Sequence, residues 1–208
     1  MKDIVMRAFL IMAMGCGFCA WAADPKCIDT GRISESNPER SISNVLKRRA
    51  ISDDERFVRL IFSESLASNC VGSEEEGAVV TGIAWVLRNR KSNPAFGDVV
   101  TARRQFRSTF GNYDVARRKE FLCPSASGEN WRAIWDRSLA AWQATSLAAN
   151  PLAGVTNYFL GRHFETSKLN GKFPRPSWAT APNQRVELPG LKADSACIEF
   201  WKVKPFAP

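Results

Sequence analysis

From residue 52 onward, apolar side chains recur every three or four positions through three long stretches. "SDDERFVRLIFSESLAS" predicts a helix with Ser52 as N-cap and acids in its first turn. Phe57, Leu60, Ile61 and Glu64 follow the i, i+3, i+4, i+7 spacing, which sets a glutamate on the apolar stripe and assigns Arg56, Arg59 and Ser63 to the other side. "SEEEGAVVTGIAWVLRNR" predicts a second helix. Ser73 and Glu76 have capping-box spacing, and Glu74, Glu75 and Glu76 read as caps and dipole partners in the first turn rather than as catalysts. Ala78, Val79, Gly82, Ile83 and Val86 form a small face, with Gly82 where another helix can come close. In "SGENWRAIWDRSLAAWQAT", Trp131, Ile134, Trp135, Ser138 and Trp142 share one side of a third helix, read as core.

The pattern differs outside these stretches. Residues 23–50 are polar and charge-mixed, with a short helix expected near "SISNVLKRRA". Asn93-Pro94 and Gly97 break the chain before a short helix leading to Gln105 and Phe106. Beyond Asn150-Pro151, short apolar pieces interrupted by Gly and Pro, with Asn170-Gly171 as a turn signal, predict loops and short strands. The expected fold is mainly α, of α+β type. It comprises one domain at 51–208 with a loop-rich C-terminal half, preceded by a leader segment at 23–50.

Residues 1–22 read as a secretory signal. Lys2 and Arg7 precede an apolar run too short for a membrane span, and Ala20 and Ala22 make an A-x-A cleavage site. The expected location is secreted or periplasmic, with no stable membrane span after cleavage. A net charge of +8 suits an anionic polymer or simply solubility. Cys27, Cys70, Cys123 and Cys197 remain after cleavage, an even number that favours two disulfides in an exported chain. Spacing does not separate the three pairings. Joining the chain ends would favour Cys27 with Cys197 and Cys70 with Cys123.

Elimination narrows the chemistry. His163 is the only histidine, and H-E-x-x-H, C-x-x-C among the mature cysteines, G-x-S-x-G and phosphate-binding glycine loops are absent. No metal and no cofactor is expected, and export with dispersed basic charge argues against nucleic acid. A carboxylate acid survives. Burying a carboxylate costs several kcal/mol unless it is paired or protonated, and a protonated glutamate can donate to a glycosidic oxygen. The competing explanation is a structural glutamate satisfied by an arginine.

"RLIFSES", "EEEGAVVTGIAWVLRNR", "RRQF", "NPLAGVTNYF" and "PRPSWA" are similar, in order and spacing, to the SleB-like cell wall hydrolases, the spore-cortex-lytic enzyme family. The resemblance spans about Glu55 to Trp201. It implies a lysozyme-like catalytic domain, related to lytic transglycosylases, that cleaves peptidoglycan glycan strands between N-acetylmuramic acid and N-acetylglucosamine. The family's catalytic glutamate falls on Glu64, and its substrate-binding positions fall on Gln105, Phe106, Tyr158 and Trp178, read as loop aromatics and one amide facing the cleft. The chain departs from the family in a long basic insertion at 160–177 and in Arg107 after the Gln-Phe pair. A wall amidase or endopeptidase and a catalytically inactive wall-binding module remain alternatives. Peptidoglycan is the expected partner of a monomer, joined by an inhibitor or immunity protein if the role is that of a toxin.

Overall fold

The computed structural model describes residues 24–28, 38–68, 70–101, 106, 115–159, 179, 183–192, 195 and 197–203. Five α-helices dominate these residues: α1 (Pro38–Arg48), α2 (Asp53–Ala67), α3 (Glu76–Lys91), α4 (Val115–Leu122) and α5 (Trp131–Ala144). Three short strands follow in the C-terminal half, β1 (Asn157–Phe159), β2 (Gln184–Val186) and β3 (Glu199–Lys202). They form one antiparallel sheet in the order β1-β3-β2, with Tyr158 opposite Phe200 and Phe200 opposite Val186. Residues 1–22, His163 and the Asn170-Gly171 turn lie outside the described residues. Among those described, no helix is long and apolar enough to cross a membrane.

Helix α2 begins as its sequence predicts, with Ser52 Oγ accepting from Glu55 N at 3.1 Å. Its burial is broader than periodicity implies. It packs against α3, α4 and α5, and every residue from Phe57 to Ser65 is buried. Arg59 and Ser63 therefore do not lie on a solvated side; both have no exposure. A buried guanidinium must find partners for its five N–H groups. Arg59 does so completely: Nη1 donates to Phe121 O (3.1 Å) and Leu122 O (2.9 Å), Nη2 to Lys26 O (2.7 Å) and Glu55 Oε1 (2.7 Å), and Nε to Glu55 Oε1 (2.9 Å). Two of those carbonyls belong to the last turn of α4, where Leu122 O also accepts from Ile28 N at 2.9 Å. One arginine thus caps α4 and ties down the N-terminal segment.

The cysteines pair as Cys27–Cys123 and Cys70–Cys197, which corrects the end-to-end expectation. The first bridge extends the Arg59 clamp, since its cysteines follow Lys26 and Leu122 directly. The second joins the end of the α2 region to the residues just before β3. The capping-box reading of α3 is also corrected. The helix starts at Glu76 with no side-chain cap, and Ser73 Oγ donates instead to Cys70 O at 2.7 Å. Glu75 is buried and accepts from Lys192 N (2.6 Å) and Ser195 Oγ (3.2 Å). Glu76 is buried too, accepts from Gly72 N at 2.7 Å and pairs with Arg137. Only Glu74 stays on the surface.

The third helix matches its reading. Ile134, Trp135 and Trp142 are core residues, and Trp142 stacks on Phe57 with ring centroids 4.5 Å apart. Gly82 does admit a close neighbour, but that neighbour is a strand residue rather than a helix: a Cβ there would overlap the Phe200 ring. Helix α1 buries Ile42, Val45 and Leu46 in the same core.

Peptide mapping under non-reducing conditions should recover Cys27 linked to Cys123 and Cys70 linked to Cys197; the end-to-end pairing would contradict this arrangement. Arg59→Met should destabilise the fold by about 3–5 kcal/mol in denaturant titration, because buried backbone carbonyls of α4 and of the N-terminal segment lose their donor. An unchanged midpoint would mean that the guanidinium holds nothing.

Candidate active site

Glu64 leaves the last turns of α2 facing β1. Only 7% of it is exposed. The hydroxyl of Tyr158, in the middle of β1, donates to Glu64 Oε2 at 2.9 Å. Tyr158 is thus a strand residue, not a loop aromatic, and its polar end is directed at the glutamate. The phenol is pushed well above its usual range, first by burial and then by the negative charge of Glu64, while Arg90 opposes the shift. At neutral pH the phenol keeps its proton and donates it in this contact. Oε2 is committed as an acceptor.

Three of the residues singled out by sequence meet here. The Phe106 ring lies 6.4 Å from Tyr158, and Phe200 meets Tyr158 edge-on at 6.5 Å. Phe106 is buried rather than cleft-facing, so it backs the tyrosine. Gln105 and Trp178 lie outside the described residues.

Periodicity did not single out Arg90, although it sits in the "LRNR" block. It is buried at the end of α3, with Nε donating to Thr156 O at 2.6 Å. Its guanidinium lies over Phe106 at 4.9 Å and Phe96 at 5.4 Å. Burial lowers its proton affinity, and the nearby Tyr158 and Glu64 raise it again. Its Nη1 is buried without a hydrogen-bond partner, so ring faces and charge compensate part of what hydrogen bonds usually supply.

The two preceding residues hold the approach to β1. Asn89 Nδ2 donates to Leu152 O (2.8 Å) and Val155 O (2.7 Å). Arg88 lies over the Trp142 ring at 3.9 Å and donates to Thr145 Oγ1 (2.9 Å) and Ser146 Oγ (2.7 Å). The only sequence sign of this role is a basic helix end, which the helix dipole explains equally well.

Chemically, the arrangement offers a buried carboxyl, a fixed phenolic donor and a buried cation. Among the described residues, no group of three His, Cys, Asp or Glu side chains is placed to hold a metal ion. Comparisons with protein-family models, curated proteins and solved structures give no match.

The raised Tyr158 phenol carries a pH signature. Below about pH 10, the ordinary tyrosine value, neither folded nor unfolded chain has ionised it. Above that, the unfolded chain loses the proton first, the folded state binds more protons, and stability falls as pH rises. Tyr158→Phe should make the decline between about pH 10 and 11 shallower by up to ~1.4 kcal/mol per pH unit, measured by urea denaturation. Parallel slopes for the two proteins would show that Tyr158 ionises normally.

Proposed function

We propose that the protein is an exported peptidoglycan-cleaving enzyme, a muramidase of lytic transglycosylase type, with Glu64 as its general acid and base. The observation that carries the reading is the Tyr158 hydrogen bond to Glu64 at a buried site. A buried carboxyl oriented by a neutral donor is suited to proton transfer. The helical scaffold with a small sheet is compatible with a lysozyme-like domain, and the two disulfides suit an oxidising compartment.

In this reading, the transferable proton resides on Glu64 Oε1, because Oε2 accepts from Tyr158. Glu64 gives that proton to the bridging oxygen between N-acetylmuramic acid and N-acetylglucosamine, and the bond from C1 to that oxygen breaks. The muramyl 6-hydroxyl then attacks C1, and the ionised Glu64 takes its proton. The products are a free N-acetylglucosamine hydroxyl and a 1,6-anhydromuramyl end, with no water consumed. One carboxylate serves both steps, which departs from the two-carboxylate pattern of most glycosidases.

Glu64→Gln retains shape and removes the transferable proton. Turnover of purified peptidoglycan should fall by roughly two to four orders of magnitude while sacculus binding and the unfolding midpoint persist. Mass spectrometry of wild-type digests should find anhydromuramyl ends, one water lighter than hydrolysed ends. Reducing ends alone would mean a hydrolytic muramidase, and free stem peptides without glycan scission an amidase or endopeptidase. Near-normal turnover by the variant would end the reading; loss of its fold would favour a structural glutamate.

A further inference from the structure

Resting on the reading of Glu64 as the acid, we propose that Asn89 is a positioning residue for the reaction: its side chain fixes the loop that delivers Tyr158 to Glu64. The amide is used almost to capacity. Both Nδ2 protons go to backbone carbonyls, Leu152 O at 2.8 Å and Val155 O at 2.7 Å, and Oδ1 accepts from Asn150 Nδ2 at 2.7 Å. Asn150 Oδ1 in turn accepts from Leu152 N at 2.9 Å. Turning the Asn89 amide over would set its oxygen against two carbonyls, so this orientation is dictated by its partners.

The held loop leads directly into the site. Leu152 and Val155 are buried, Gly154 between them takes a positive φ of 76°, and Thr156 is gripped by Arg90. Tyr158 follows Val155 by three residues, a span of about 10 Å even when extended, so a shift at Val155 has little chain over which to dissipate. Proton transfer needs donor and acceptor within about 2.6–3.2 Å, and a displacement near 1 Å is enough to cost about a hundredfold in rate. Asn89 therefore acts through backbone and Tyr158, not on substrate.

The test is a double-mutant cycle on the full chain. Asn89→Asp preserves shape and replaces two donors with acceptors. It should lower kcat on purified peptidoglycan about 10- to 100-fold with KM near wild type. Introduced into Tyr158→Phe, it should cost less than about threefold more, because residues acting through one contact are not additive. Equal costs in both backgrounds would overturn the proposal. A second readout needs no activity. The chain has two tyrosines, so in a Tyr113→Phe background the near-ultraviolet titration of tyrosinate reports on Tyr158 alone, whose facing groups are Glu64, Arg90, Phe106 and Phe200. Asn89→Asp should bring that titration down towards the ordinary tyrosine range; an unchanged titration in the folded variant would overturn the proposal. Should Asn89→Asp fail to fold, Asn89→Gln, with the amide one methylene further out, takes its place in both measurements, and the same results support or overturn the proposal. An active Glu64→Gln would sink the enzymatic reading, yet the tyrosine titration would still decide whether Asn89 positions Tyr158.

Discussion

The burial of α2 on every side is the constraint from which the other features follow. A helix enclosed along nine consecutive residues cannot send a long polar side chain to water, so Arg59 and Glu64 must each find partners inside the fold. Arg59 and Glu64 are five positions apart, roughly 140° around the axis, and so meet different neighbours. Arg59 is sealed completely, by three carbonyls and Glu55. Glu64 meets a tyrosine from a strand 94 residues later. The first arrangement has no spare valence and holds the fold; the second joins α2 to β1 through a carboxyl and a phenol.

What brings that strand to Glu64 is the last turn of α3. Consecutive helical residues point about 100° apart, so Arg88, Asn89 and Arg90 fan across more than half the helix circumference. A single chain segment wrapping around the helix end can be grasped by all three in turn, and the segment from Trp142 to Thr156 is grasped in this way. These bonds add to the segment's own, such as Val155 N to Leu152 O, and together they give a loop without regular structure a fixed path. The rigidity of β1 is therefore borrowed from a helix.

The helices were legible because local chemistry decided them: Ser52 does cap α2, and the tryptophans of α5 do face inward. Glu64 was legible as an anomaly, a charge on an apolar stripe. The burial of Arg59 was not, because periodicity locates one buried face and cannot signal that the opposite face is covered as well. Glu75 and Glu76 escape a sequence reading for a related reason. Capping spacing counts only local N–H groups, and Glu75 is claimed by Lys192 and Ser195, more than a hundred residues away. The disulfide pairing and the partner of Gly82 are likewise tertiary facts. Tyr158 is marked only by its resemblance block, and nothing local announces that it reaches Glu64.

These distant contacts close into one circuit. Six residues after Glu64 comes Cys70, bonded to Cys197. Two residues after Cys197, β3 begins, and its Phe200 packs into the space left by Gly82 while meeting Tyr158 edge-on. Tyr158 then returns to Glu64. Glu75 fastens the same C-terminal segment to the start of α3, beside the disulfide. The C-terminal strand thus backs Tyr158 from behind while Asn89 and Arg90 fix the chain in front of it. Held between these two supports, the side chain points its hydroxyl at Glu64, and this separates a tyrosine that orients a carboxyl from one that is merely near it.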